Sequence, residues 1–179
     1  MYTNTRGLFY MENEEYDRAA SFWKEKDKTS THMKKEELLK RIEDFIRKNN
    51  TLALATGSGE NIRCTPLEYG YHDGAFYIFS EGGLKFRGLK ENEYAAAAIY
   101  HSYGSFGQLN SLQITGKAEI ITLFSDEYKA AAKAKGIPFS ALEKLESPMY
   151  LIKIIPVRYD YLCSDLKKEG YASRQSLDL

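Results

Sequence analysis

Lys85 follows a Gly-Gly pair by two residues, in the run Ser80-Glu81-Gly82-Gly83-Leu84-Lys85-Phe86-Arg87. Small residues leave backbone N–H groups free at the mouth of a helix, and a cation beside them suits a phosphate. Upstream, Arg63 opens Arg63-Cys64-Thr65-Pro66-Leu67 within an alternating, strand-like stretch. His72-Asp73-Gly74 then reads as a hairpin turn, because Asp-Gly supplies the positive φ that a tight connection needs. The stretch 62–87 therefore points to a phosphorylated ligand lying across two neighbouring strands. Each residue also has an ordinary reading. Lys85 could be a solvated helix residue, Gly82-Gly83 loop punctuation, and Arg63 the partner of Glu68 or Glu81. Pro66 cannot donate to a ladder, so Thr65-Pro66 marks a sheet edge or a bulge. Cys64 alternates away from Thr65 and reads as core, not nucleophile.

No other constellation announces chemistry. His72 sits in the turn, His101 opens a loop and His32 precedes a helix, and no histidine–carboxylate pair marks general acid–base work. The two cysteines, Cys64 and Cys163, lie far apart without a CxxC motif. They read as free thiols in a reducing compartment, which predicts a cytoplasmic protein without a structural zinc site. The 25 Lys and Arg residues balance the 25 Asp and Glu residues, so no net field draws the chain to nucleic acid or anionic lipid. No apolar run is long enough for a membrane span.

The elements that must position these residues follow in order. Residues 1–10 have no clear period, and Met11 is an equally good start. Residues 12–27 predict a charged helix with a narrow stripe of Tyr16, Ala20 and Trp23, the tryptophan packing on the body of the protein. Residues 34–49 predict a stronger helix burying Leu38, Leu39, Ile42, Phe45 and Ile46. From Leu52 the period becomes two. Strands are expected at 51–56, 62–71 and 75–80, the last two forming a central hairpin. A helix over 84–92 turns Leu84, Phe86 and Leu89 inward and leaves Lys85 free to face a ligand. Strands follow at 94–100 and 112–122, with a glycine-rich loop between them. Gly116 in mid-strand signals a bend or bulge. Helices at 125–136 and 140–145 precede a strand at 150–155 that ends, or is interrupted, at Pro156. The result is a mainly β domain with peripheral helices, closed as an antiparallel barrel.

The order of a helix, then LALATGSGENIRCTPLEY, FYIFSEGGLKF, AAAAIY, LQITGKAEII and YLIKIIPVRYDYL, resembles the pyridoxamine 5′-phosphate oxidase-like, FMN-binding split-barrel family. The resemblance covers 34–162, with 1–33 as an N-terminal extension carrying one helix and 163–179 as a C-terminal tail. It implies a split antiparallel β-barrel, a homodimer, and FMN at the subunit interface. It implies that Arg63, Cys64, Thr65, Pro66 and Leu67 lie along the flavin ring through their backbone. Phe79, Ser80 and Lys85 would hold the phosphate, with Arg63 as a second cation. Ser111, with Gln113 next on the same face, would reach the flavin from the partner subunit.

The chain departs from the true pyridoxamine phosphate oxidases, whose Arg-Leu-x-Pro motif grips the substrate phosphate. This chain ends YASRQSLDL, and only Arg158 or Arg174 could supply such a grip from another position. The expected function is an FMN-dependent oxidoreductase acting on a small substrate, with NADH or NADPH as a candidate electron donor. The alternatives are a non-catalytic flavin, haem or deazaflavin binder on the same fold, or a small barrel stacking single-stranded nucleic acid on Tyr69, Tyr71, Phe76 and Tyr77.

Overall fold

The computed structural model describes residues 12–179, so the expectation for 1–10 lies outside the described residues. Two helices, α1 (Asn13–Asp27) and α2 (Lys35–Arg47), precede the strands. The strands are β1 (Thr51–Ser58), β2 (Asn61–Glu68), β3 (Gly70–His72) and β4 (Ala75–Ser80), then β5 (Tyr94–Tyr100) and β6 (Asn110–Ile121), and finally β7 (Tyr150–Cys163) and β8 (Arg174–Asp178). Helix α3 (Lys85–Glu91) links β4 to β5, and α4 (Asp126–Ala134) and α5 (Phe139–Leu142) link β6 to β7. All eight strands form one antiparallel sheet in the order β2-β1-β5-β6-β7-β4-β3, with β8 also on β7. The two ends of that path, β2 and β3, are consecutive in the chain, so the sheet curls back towards itself as a split barrel.

The expected single strand over 62–71 is two strands. Asn61–Glu68 pairs wholly with β1, whereas Gly70–His72 pairs with β4. Tyr69 makes the break: it is buried, its hydroxyl donates to the Ile46 carbonyl at 2.7 Å, and its N–H donates to Asn50 at 2.9 Å. Anchoring that ring beneath α2 forces β2 and β3 into different halves of the sheet. The turn itself forms as the sequence implies, with Asp73 and Gly74 at φ 51° and 73°.

Pro156 does not end its strand. It stands opposite Gly116, where the β6–β7 register shifts, so the missing N–H falls at the irregularity. Residues 163–179, read as a tail, turn through a short 3-10 stretch and return as β8. Leu166 and Leu177 join the core, and the buried Gln175 side chain accepts from the Met33 N–H at 3.0 Å and donates to the Thr31 and Ala172 carbonyls. Alternating Gln175 and Leu177 carried that strand signal, hidden by the polar residues between them.

Two cores hold the sheet. Inside the barrel, Leu38, Ile42 and Ile46 of α2 pack on Leu52, Leu54, Phe76, Ile78, Ile114 and Ile152. Fully burying each such side chain contributes about 1.5–3 kcal/mol. On the other face of β4 and β7, Tyr128, Ala131 and Ala132 of α4 cover Tyr77, Ile121 and Leu151. Ser125 caps that helix by accepting from the Tyr128 N–H. The outer face of β2, β1, β5 and β6 has no such cover among the described residues. No helix among the described residues is long and apolar enough to cross a membrane.

Candidate functional site

Ser80 ends β4 on the side of Phe76 and Ile78 and is buried. Its Oγ lies 3.3 Å from both the N–H and the carbonyl of Gly82. Gly82 and Gly83 take φ values of 124° and 103°, a backbone that side chains rarely adopt. Lys85 comes next, and the structure corrects the expectation of a free side chain. It is buried, and its ammonium donates to the Gly82 carbonyl. No carboxylate pairs with it among the described residues. Burial accordingly holds its pKa below the usual lysine value. Leu84, expected inside, is exposed instead; Phe86 and Leu89 pack on the core as expected, and Gly88 and Lys85, one turn apart, are the buried residues of α3.

Thr56 and Arg63 oppose each other on β1 and β2 and share the core-facing side, towards which α3 packs. Thr56 is buried and its Oγ1 has no partner. Arg63 is exposed, donates only to its neighbour's carbonyl at 2.9 Å, and forms no ion pair among the described residues. Glu68, one of its suggested partners, is taken by Lys135 at 3.2 Å. Two cations without carboxylate partners, Lys85 and Arg63, and one unpartnered hydroxyl, Thr56, thus belong to α3 and the two strands it packs against. Sequence reasoning missed Thr56, for which LALATG holds no signal. It also missed the meaning of Gly88, whose mid-helix position is a sign of close approach.

The remaining expected residues divide between two faces. Thr65 and Leu67 point inward with Leu54 and Leu52, their β1 partners. Cys64 and Pro66 point outward beside Ala55 and Ala53 on an edge strand. Proline at an edge is as expected, but Cys64 is exposed, not core, because the outer face of β2 lacks a covering layer. Phe79 turns away from Ser80 and packs edge-on against Tyr128 at 5.4 Å. Ser111 and Gln113 lie on the outer face of β6, where Ser111 Oγ accepts from the Tyr103 hydroxyl at 3.0 Å. They line a groove of about 460 Å³ with Ala98, Tyr100, His101 and Tyr103. No described contact joins them to the Lys85 cluster within one chain.

That outer face is flat and small: Ala53, Ala55, Ala96 and Ala98 run across it in register, and Ile62, Tyr94, Tyr100 and Tyr103 are exposed around it. The histidines have local roles. His72 stacks on Tyr77 at 3.9 Å and 4°, His101 meets Asn49 Oδ1 at 3.0 Å, and His32 meets the Asp27 carbonyl at 2.9 Å. No group of three metal-ligating side chains occurs among the described residues. Tyr69, Phe76 and Tyr77 are buried, so they offer no platform for stacking bases. Arg158 is tied to Asp160 and Asp178. Burial works to raise the Asp160 carboxyl, but hydrogen bonds from Arg158 and Ser176 prevail and hold it below its usual value.

The sequence matches no protein-family model and no curated protein. Solved structures do share the fold. Campylobacter jejuni ChuZ aligns over 94% of this chain and 69% of its own, at 18% identity and a TM-score of 0.62. The haem storage protein HutZ from Vibrio cholerae covers 69% of this chain and 91% of its own, at 16% identity and a TM-score of 0.55. A FAD-binding protein from Mesorhizobium loti covers 66% and 87%, at 17% identity and a TM-score of 0.53. At these identities the likeness is one of fold, and it agrees with the split-barrel resemblance carried by the sequence motifs.

Proposed function

We propose that this chain binds FMN and serves as an FMN-dependent oxidoreductase, its phosphate site built from Ser80, Gly82, Gly83 and Lys85 with Arg63 beside them. One observation carries the reading: a buried lysine without a carboxylate, next to glycines that could have been any residue were their backbone ordinary. Leaving a buried ammonium uncompensated is costly, and a phosphate is the complement that relieves it. The unpartnered Thr56 hydroxyl supports the same reading, since buried donors without acceptors are rare. FMN, when bound, supplies two-electron chemistry. The protein's own residues anchor the phosphate, offer the backbone of β2 to the ring, and shield it from water. Ser111 and Gln113 lie on the outer face of the sheet, opposite the side of that cluster, which fits a contribution from a second copy of the chain.

The uncovered face of Ala53, Ala55, Ala96 and Ala98 is the surface through which two copies would pair. Sedimentation at micromolar concentration is expected to give twice the chain mass. A monomer that still binds FMN tightly would remove the pairing and with it the roles of Ser111 and Gln113. The free thiols and the lack of an anion-gripping Arg-Leu-x-Pro motif complete the proposal: a cytoplasmic enzyme for a small molecule other than pyridoxamine phosphate, with NADH or NADPH as electron donor.

A haem-binding reading is favoured by the names of two neighbours, the haem storage protein HutZ and a haem-binding protein from Mycobacterium smegmatis. The absorption spectrum of the purified protein separates the two. Flavin bands, and FMN released by heat, are expected; a Soret band without flavin would overturn the proposal.

A further inference from the structure

His101 opens the loop after β5, and three contacts hold it. Its N–H donates to the Asn110 carbonyl at 3.1 Å, tying the loop to the start of β6. Its ring leans on Phe45 of α2, with centres 5.2 Å apart and planes at 43°. Its Nε2 lies 3.0 Å from Asn49 Oδ1. The Asn49 amide has a fixed direction, because its Nδ2 donates to the Phe45 carbonyl at 2.8 Å. Oδ1 can only accept, so Nε2 carries the proton. In the neutral ring Nδ1 then keeps its lone pair, and it has no hydrogen-bond partner among the described residues. The two ring nitrogens point well apart, so Nδ1 faces away from Asn49. His101 is exposed and lines the outer-face groove of about 460 Å³. The exposed rings of Tyr100 and Tyr103 stand in the same lining, and Tyr103 is pinned to Ser111 at 3.0 Å.

We propose that His101 Nδ1 is the hydrogen-bond acceptor of a ligand site in this groove, and that the ligand is a small aromatic or heteroaromatic molecule carrying a hydroxyl or an amine. A solvated surface histidine turns freely and exchanges tautomers. This one has its direction and its proton set by Phe45 and Asn49 before any ligand arrives, which is how a supporting residue prepares an imidazole for recognition. An acceptor of fixed direction selects a ligand that offers O–H or N–H. The two tyrosine rings supply flat apolar area for the rest of that ligand. Asn49 is a positioning residue, since it acts through the imidazole. That the ligand is the substrate of the proposed oxidoreductase rests on reading the outer face as the cofactor-bearing surface; the acceptor itself stands apart from that reading.

The chain has three histidines, so nitrogen NMR of isotope-labelled, flavin-free protein resolves each ring. His101 is expected almost wholly as the tautomer protonated at Nε2, and Asn49→Leu is expected to lose that bias. The ligand class is probed with benzyl alcohol and with benzyl methyl ether, which shares the ring but has no donor. Saturable amide shifts at Ser111 and Gln113 are expected with both. The alcohol is expected to bind about three- to tenfold tighter, the size of one neutral hydrogen bond. His101→Phe keeps an aromatic ring at this position and is expected to bind the two probes equally. Asn49→Leu retains the imidazole yet is expected to lose most of the preference. The amide spectrum of each variant reports its fold on the same sample. A dominant tautomer protonated at Nδ1, no saturable shift with either probe, or an alcohol preference that survives in His101→Phe would overturn the inference. FMN titration of the same samples keeps the two readings apart. An alcohol preference in a protein that takes up no FMN sinks the cofactor reading and leaves the acceptor site standing, whereas FMN uptake beside probes bound alike sinks only the acceptor site.

Discussion

Replacing Lys85 with Met is expected to weaken FMN binding by about ten- to a hundredfold while raising the melting temperature of the flavin-free protein. The two effects have one cause. A charge-assisted hydrogen bond is worth roughly 1.5–3 kcal/mol, which sets the loss in affinity. In the empty site the same ammonium is buried beside a carbonyl with no carboxylate partner, and burial lowers its pKa. A lysine whose folded pKa lies below its unfolded one costs stability at neutral pH, where it must stay charged. The cost disappears above the unfolded pKa, as both states lose the proton. Methionine fills similar space without that charge, so the empty fold gains. FMN should therefore raise the melting temperature of the wild type far more than that of the variant. Affinity should also decline as pH rises through the folded pKa of Lys85, because the neutral amine no longer pairs with phosphate. Lys85→Glu goes further, adding repulsion to the loss. Isothermal titration and thermal melts with and without FMN measure all of this. Equal affinity in wild type and Lys85→Met would remove Lys85 from the site.

Much of this was legible in the residues. Asp73-Gly74 announced its hairpin, the stripe of Leu38, Ile42 and Ile46 announced α2, and Gly116 announced the bulge, because each signal is local and has one cheap structural solution. The grouping of Ser80, Gly82, Gly83 and Lys85, the proposed phosphate site, was legible for the same reason, since all four lie within one short run. What stayed hidden depends on contacts far apart in sequence. Tyr69 breaks a strand because Ile46 and Asn50, 23 and 19 positions earlier, accept and receive it, and no pattern within 62–71 reveals that. Lys85 was expected free to face a ligand, not buried, because helical spacing shows which residues share a face, not how closely β1 approaches. Cys64 was assigned to the core by alternation, which separates two faces without saying which of them is covered. Arg174 and Trp23 meet across 151 positions.

Gly88→Ala is expected to lower flavin affinity at least tenfold while costing the fold only modestly, and it tests how α3 is held in place. A Cβ at Gly88 would come 2.8 Å from the Gly57 nitrogen, 3.1 Å from its Cα and 3.2 Å from the Thr56 carbonyl carbon. All three are backbone atoms of β1, so the strand cannot give by rotating a side chain; helix or strand must move. Such overpacking costs roughly 1–3 kcal/mol. Alanine returns about 1 kcal/mol of helix propensity over glycine. The remainder amounts to a fall of a few degrees in melting temperature, about 2–4 °C per kcal/mol at this chain length. The site is less forgiving. Ser58 Oγ donates to Glu91 at 2.8 Å and Asn92 Nδ2 donates to the Gly57 carbonyl at 3.1 Å, so the far end of α3 is pinned to β1. A push at Gly88 must then tilt the near end, which carries Lys85, and a shift of about 1 Å is enough to spoil a charge-assisted geometry. Gly70→Ala serves as control, since a Cβ there meets only the Tyr77 carbonyl at an ordinary 3.9 Å. Circular dichroism melts and FMN titration of the two variants decide the matter. If Gly88→Ala binds FMN as tightly as Gly70→Ala, the close approach of α3 to β1 serves the fold alone and does not position the lysine.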